Sequence, residues 1–258
     1  MAEPDRPRDP HAVLDLPSRR LKAVKIERLL GLERKPGPLR LLEVGTGSGG
    51  IAHYFANGCE GRYLVDALDV VDNRLVEDGY CFTLVDDTRL PFEDASFDVV
   101  LSNHVIEHVG DERAQRAHLA ELARVLRPAG VGYLAVPNRW MLVEPHFRLA
   151  FLSWLPESLR SPYLRLAGKG NHYDCRPLTA RRAARLLREA GFAPRQQCGR
   201  ALLLTFELEQ PRSWLYRALL RRLPEWLYRA LGPLFPTLIY VLPPRANPRR
   251  GTAPMPAG

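Results

Sequence analysis

The residues able to do chemistry begin with Glu43, two positions before a run of glycines at Gly45, Gly47, Gly49 and Gly50. Glycines let a backbone approach a ligand closely and adopt angles that a side chain forbids. A helix opening directly after them would present unpaired N–H groups to that ligand. Gly45, Gly47 and Gly50 also satisfy the G-x-G-x-x-G spacing of dinucleotide-binding turns. Glu43 argues against that reading, because a fixed carboxylate repels a pyrophosphate and suits a cation. Asp66 and Asp69 follow at about the 20-residue distance where a carboxylate accepts both ribose hydroxyls. Asp69, nearer the end of its expected strand, is preferred, with Asp66 the alternative. Farther on, His104 offers a base that could take a proton from an acceptor group.

S-adenosylmethionine carries a sulfonium and an ammonium and no phosphate, so it meets the demand that Glu43 makes. Glu43, Gly45, Gly47 and Gly49 fully match (Asp/Glu)-x-Gly-x-Gly-x-Gly, and the stretch resembles the first motif of class I S-adenosylmethionine-dependent methyltransferases. Leu90-Pro91-Phe92, the Phe97-Asp98-Val99-Val100 stretch and Val105-Ile106-Glu107-His108-Val109 extend it. They resemble the small-molecule subgroup related to ubiquinone and menaquinone methyltransferases. The resemblance implies S-adenosylmethionine as cofactor, held by Glu43, Gly45, Thr46, Gly47, Gly49, Asp69, Asp86, Asp87 and Asn103. Asp86, four residues before Leu-Pro-Phe, would face the adenine amine; the plain alternative for Asp86-Asp87 is a turn cap. His104 is the candidate catalytic base, against a bland reading as a histidine packed under the cofactor. His108 reads as structural, while His146 and His172 could reach an acceptor from a cap.

These residues need a scaffold. Residues 39–44, 62–71, 80–85, 97–104 and 131–138 read as strands, and 51–57, 115–126 and 179–190 as helices, the last capped by Thr179. Residues 18–33 read as an amphipathic helix covering one side of the sheet. Strand, helix, strand repeated five times demands a parallel sheet with helices on both faces. The family implies a Rossmann-like α/β fold: a seven-stranded, mostly parallel sheet with helices on both faces and an antiparallel last strand, a feature that an NAD-binding sheet lacks. Residues 200–208 and 237–242 are the expected sixth and seventh strands. The expected division is a flexible 1–17, a domain over 18–243 and a disordered 244–258. Within the domain, 139–175 is an acceptor-site cap and 211–235 an amphipathic helical insertion.

The formal net charge of +8 is uneven. Residues 1–140 hold 18 Lys/Arg against 22 Asp/Glu, and residues 141–258 hold 19 against 7. The basic part suits an anionic partner or simply a solvated arginine-rich surface. Trp214-Leu215-Tyr216-Arg217-Ala218-Leu219 returns 12 residues later as Trp226-Leu227-Tyr228-Arg229-Ala230-Leu231. Two such helices suit a lipid headgroup boundary, making peripheral membrane contact one expectation, or pack their aromatic faces on the domain or a second copy. Cys59, Cys81, Cys175 and Cys198 lack the close pairing of a zinc site, and no metal is expected. Scattered cysteines and no apolar leader read as cytoplasmic. Ser102–Val105 lacks the Asn/Asp-Pro-Pro-aromatic signature of base-amino methylation, so no nucleic-acid acceptor is expected. The expected reaction is methyl transfer to a small-molecule or lipid-linked acceptor, O-methylation slightly ahead of C-methylation. The alternatives are an NAD(P)-dependent oxidoreductase and a non-catalytic cofactor-binding membrane or partner module.

Overall fold

The computed structural model describes residues 15–244. In chain order the elements are α1 (Leu16–Leu30), β1 (Leu39–Val44), α2 (Gly50–Asn57), β2 (Tyr63–Asp69), β3 (Cys81–Leu84), β4 (Phe97–Asn103), α3 (Glu112–Val125) and β5 (Leu126–Pro137). Then come the short strands β6 (Val143–Glu144) and β7 (Leu149–Ala150), α4 (Glu157–Leu166), α5 (Ala180–Glu189) and β8 (Arg195–Gln196). α6 (Cys198–Glu209), α7 (Trp214–Ala218), α8 (Glu225–Leu231) and β9 (Thr237–Leu242) complete the described chain. Seven strands form one sheet in the order β3-β2-β1-β4-β5-β9-β8. β1 to β5 run parallel, and β9 enters antiparallel between β5 and β8. This is the expected Rossmann-like methyltransferase architecture.

Strand alternation sorts the core into two layers. Leu42, Val44, Val100, Leu134 and Val136 pack with Leu119 and Leu122 of α3 and Leu186 and Leu187 of α5. Leu41, Val65, Leu101 and Ala135 turn the other way, toward Ile26 of α1, Phe55 of α2 and Leu204 of α6. Glu27 of α1 draws that second layer together by accepting the Tyr54 and Tyr63 hydroxyls at 2.7 and 2.8 Å. Asp111 caps α3 by accepting from the Ala114 N–H, and Thr179 caps α5 through the Arg182 N–H.

Three expectations change. Residues 200–208 are not a strand: they lie inside α6, and the sixth strand of the sheet is the two-residue β8. The run Ala201-Leu202-Leu203-Leu204 fits either element by apolarity, and length plus partners decide. Cys198, Ala201 and Leu204 recur every three residues and are buried. Lys25 and Arg28 of α1 pair with Glu209 and Glu207 at 2.8 and 2.9 Å. Loops rather than helices link β2 to β3 and β3 to β4. Residues 70–80 and 85–96 carry Asp, Asn, Gly and Pro without an apolar stripe, and Arg74 ties the first loop through Asp72 at 2.8 Å. Leu16 and Pro17 belong to α1, two residues ahead of its expected start. The expected flexible start and disordered tail otherwise lie outside the described residues, at 1–14 and 245–258.

Candidate active site

β1 ends in Val44, and the glycine turn that follows takes left-handed backbone at Gly45, Gly47 and Gly49, with φ of 75°, 54° and 78°. A Cβ at Gly45 would strike the Val105 side chain. One at Gly49 would meet the Tyr80 hydroxyl and the Val76 carbonyl oxygen, the latter at 2.5 Å. The turn is therefore closed to side chains from two sides, and Val105 brings the segment after β4 against it.

Glu43 lies beneath this turn with 2% of its surface exposed. Its Oε2 accepts the Thr46 hydroxyl at 2.8 Å. Burial pushes the carboxyl up to about 8, against the pull of the Thr46 and Ala52 hydrogen bonds; the Asp69 charge adds to the rise and Arg19 opposes it. A group in this state gains from a cation placed beside it.

Asp69 closes β2, and its carboxylate accepts the Gly47 N–H at 2.8 Å and the Val70 N–H at 2.7 Å. Asp66 sits three residues earlier, where Arg40 engages it at 3.1 Å. Of the two acids only Asp69 stands at the strand end and touches the glycine turn. Asp86 and Asp87 follow β3 and are exposed. Asp87 accepts the Arg89 N–H at 2.7 Å, a turn cap, whereas Asp86 makes no hydrogen bond or ion pair among the described residues.

At the end of β4, Asn103 keeps its Oδ1 buried with no partner among the described residues. His104 takes φ of 60°, rare for a residue with a side chain. Its Nδ1 lies 3.2 Å from Oε1 of Glu107, which is fully buried. Burial would raise the Glu107 carboxyl, but the His104 hydrogen bond and the charges of His104 and His108 outweigh it and hold it below the usual glutamate value. Glu107 was absent from the sequence-based site; its signal is an acid three positions after His104 in a largely apolar run. On the strand before it, the Ser102 hydroxyl meets His118 Nε2 at 3.0 Å, and burial lowers that imidazole to about 4. Of the histidines in residues 139–175, His172 is exposed, and His146 packs edge-on against His108 with ring centroids 5.4 Å apart.

Residues 42–134 match the methyltransferase domain family. They carry the class I S-adenosylmethionine-dependent methyltransferase fold. Among curated relatives, the human protein named "Probable tRNA methyltransferase 9B" is 32% identical over 102 residues, 38% of this chain and 21% of that one. A ubiquinone biosynthesis O-methyltransferase from Parvibaculum lavamentivorans is 30% identical over 130 residues, 46% of this chain and 49% of that one. The chain thus spans less than half of either relative. Among solved structures, 1,6-didemethyltoxoflavin-N1-methyltransferase from Burkholderia thailandensis superposes with a TM-score of 0.52 at 20% identity, over 90% of this chain and 80% of that one. This likeness is one of fold.

The donor set fits S-adenosylmethionine. Glu43 is a buried carboxyl that a cation would ionise, Asp69 has two oxygens at the strand end, and side chains are barred from Gly45 and Gly49.

Proposed function

We propose that the chain transfers a methyl group from S-adenosylmethionine to a small-molecule or lipid-linked acceptor, with a hydroxyl the favoured target. When bound, the cofactor supplies an activated methyl on sulfur. The chain's own work is to bind, orient, exclude water and handle one proton. In this reading Glu43 and Thr46 face the cationic amino-acid part, Gly45, Gly47 and Gly49 leave room for it, and Asp69 accepts the ribose hydroxyls. Asp86 takes the adenine amine, with Asp87 capping the turn beside it, and Asn103 offers its unpaired oxygen.

The observation that carries the acceptor assignment is the His104–Glu107 pair at 3.2 Å, one residue from the Val105 that walls the glycine turn. A carboxylate at Nδ1 leaves Nε2 to accept a proton and stabilises the imidazolium that forms. Phenols and alcohols need such a base; amines with a free lone pair do not.

A lipid-linked or membrane-borne acceptor gains support from the surface. Trp214 and Trp226 are 76% and 66% exposed, so neither packs on the domain, and Leu142, Val143 and Phe151 of the cap are exposed as well. No helix of the described residues is long and apolar enough to cross a membrane, so the contact proposed is with a surface.

Titration with S-adenosylhomocysteine and with NAD tests the cofactor. Incubation with methyl-labelled S-adenosylmethionine and parallel acceptors (quinone-precursor phenols, amines, tRNA) tests the rest. Label in the phenols is expected; NAD binding without S-adenosylhomocysteine binding would overturn the reading, and label in tRNA alone would replace its acceptor.

A further inference from the structure

Beyond the cofactor cradle, six side chains with metal-ligating atoms converge from three separate segments. Glu107 and His108 come from the loop after β4, Glu144 and His146 from β6 and the turn after it, and Asp174 and Cys175 from the stretch before α5. Their ligand atoms form three overlapping triads, each within 4.8 Å: Glu107-His108-His146, His108-Asp174-Cys175 and Glu144-His146-Cys175. His108, His146 and Cys175 each belong to two of them. Cys175 Sγ lies 3.8 Å from His108 Nδ1 and 3.9 Å from His146 Nδ1. A tetrahedral zinc ion, about 2.3 Å from sulfur and about 2.0–2.1 Å from nitrogen, holds such atoms about 3.6 Å apart.

Charge points the same way. Glu107 and Glu144 are buried, Asp174 Oδ1 lies 3.5 Å from Cys175 Sγ, and Glu107 Oε2 is buried without a hydrogen-bond partner among the described residues. Glu144 is already held by His146 Nδ1 at 2.7 Å and by the Phe147 N–H at 2.8 Å, so the unpartnered Glu107 oxygen is the buried acceptor whose cost a nearby cation would offset. Thiolate with imidazole selects zinc or a similar transition metal over magnesium or calcium.

We propose that this cluster binds one divalent transition-metal ion, zinc by ligand chemistry, through the triad of His108, Asp174 and Cys175. The ion ties the cap to the loop that carries Glu107 and so fixes the partner of His104. This reverses the sequence expectation of no metal, which looked for cysteine pairs close in sequence; these ligands meet only in the fold.

The full chain, dialysed against chelator and then freed of it, is titrated with Co²⁺ alone and with Zn²⁺ alone. About one equivalent of Co²⁺ is expected to raise a thiolate-to-cobalt charge-transfer band, and Zn²⁺ to raise Tm. Cys175→Ser and His108→Gln should each lose the band and weaken zinc by at least about tenfold. Cys81→Ser, at an exposed strand position, should keep both. S-adenosylhomocysteine binding reports that each variant is folded; should Cys175→Ser fail that check, His108→Gln carries the comparison. A wild type that binds S-adenosylhomocysteine yet shows neither band nor Tm rise overturns the proposal, as does a folded His108→Gln with wild-type metal affinity.

Discussion

Asp69 Oδ2 accepts the Gly47 N–H across 2.8 Å, so the end of β2 holds the glycine turn that follows β1. One carboxylate thereby shapes the turn and, in the proposed reading, accepts the ribose, and its loss should register in both roles. Asp69→Ala is expected to weaken S-adenosylhomocysteine ten- to a hundredfold, from a charge-assisted loss of about 1.5–3 kcal/mol. Asp66→Ala, whose carboxylate serves Arg40, should leave that affinity unchanged. Calorimetric titration of both variants decides, and the reverse order would move the ribose site to Asp66.

Glu43 gives a pH prediction whose sign follows from burial. Its folded value is raised from 4.5 to about 8, so without cofactor its contribution to stability is fully present below about pH 4.5 and is lost as pH rises through about 8. Glu43→Gln should flatten that fall. A cationic amino-acid group beside the carboxyl favours its ionised form, so binding S-adenosylhomocysteine near pH 7 should release protons from the wild type and fewer from Glu43→Gln. Calorimetry in buffers of different ionisation enthalpy measures this; equal release from both proteins would remove Glu43 from the cofactor site.

The glycine turn admits a steric test. Gly45→Ala drives a Cβ into Val105 at a φ of 75°, which L residues rarely adopt. The substitution should lower Tm and abolish cofactor binding, and Gly45→Ala with Val105→Ala should recover Tm in part. Cofactor affinity at the wild-type level in Gly45→Ala would show that this turn does not form the cradle.

Why much of this could be read in advance, and some not, is a matter of range. Glu43, the glycines and Asp69 act within one strand–turn–helix unit and the neighbouring strand, and local spacing encodes them. β4 and β5 announce themselves as apolar runs. Residues 200–208 did not, because an apolar run of that length suits a strand or a buried helix until α1 supplies its partners Lys25 and Arg28. Glu107 is close to His104 in sequence, but only the left-handed backbone at His104 turns the two toward each other. Cys175, His146 and His108 are contributed by segments far apart in the chain, and no periodicity brings them together.

The His104–Glu107 pair separates a base from a packing residue. His104→Asn tolerates the left-handed backbone and should bind S-adenosylhomocysteine normally. Turnover on a phenolic acceptor should fall about 10²- to 10⁴-fold, the range for a lost general base, with KM nearly unchanged. Glu107→Gln should lower kcat less than His104→Asn, because the imidazole keeps its place and loses only the carboxylate that orients it. A His104→Asn enzyme with wild-type turnover would leave His104 as packing alone.

The paired tryptophans give the last test. Trp214 and Trp226 stand exposed on α7 and α8, and in those two helices Tyr228 alone is buried. Indoles at this level of exposure can enter a headgroup layer, with Arg217, Arg221, Arg222 and Arg229 meeting anionic lipid. Co-sedimentation with vesicles should then rise with phosphatidylserine content and fall with salt, since the Debye length shrinks to about 8 Å near physiological ionic strength. Trp214→Ala with Trp226→Ala should abolish sedimentation but leave S-adenosylhomocysteine affinity alone, because the proposed cofactor residues lie between Glu43 and Asn103. Covering by a second copy predicts otherwise: no sedimentation of the wild type, and a dimer that the same double variant breaks, visible by light scattering. Wild type left in the supernatant at low salt ends the membrane reading.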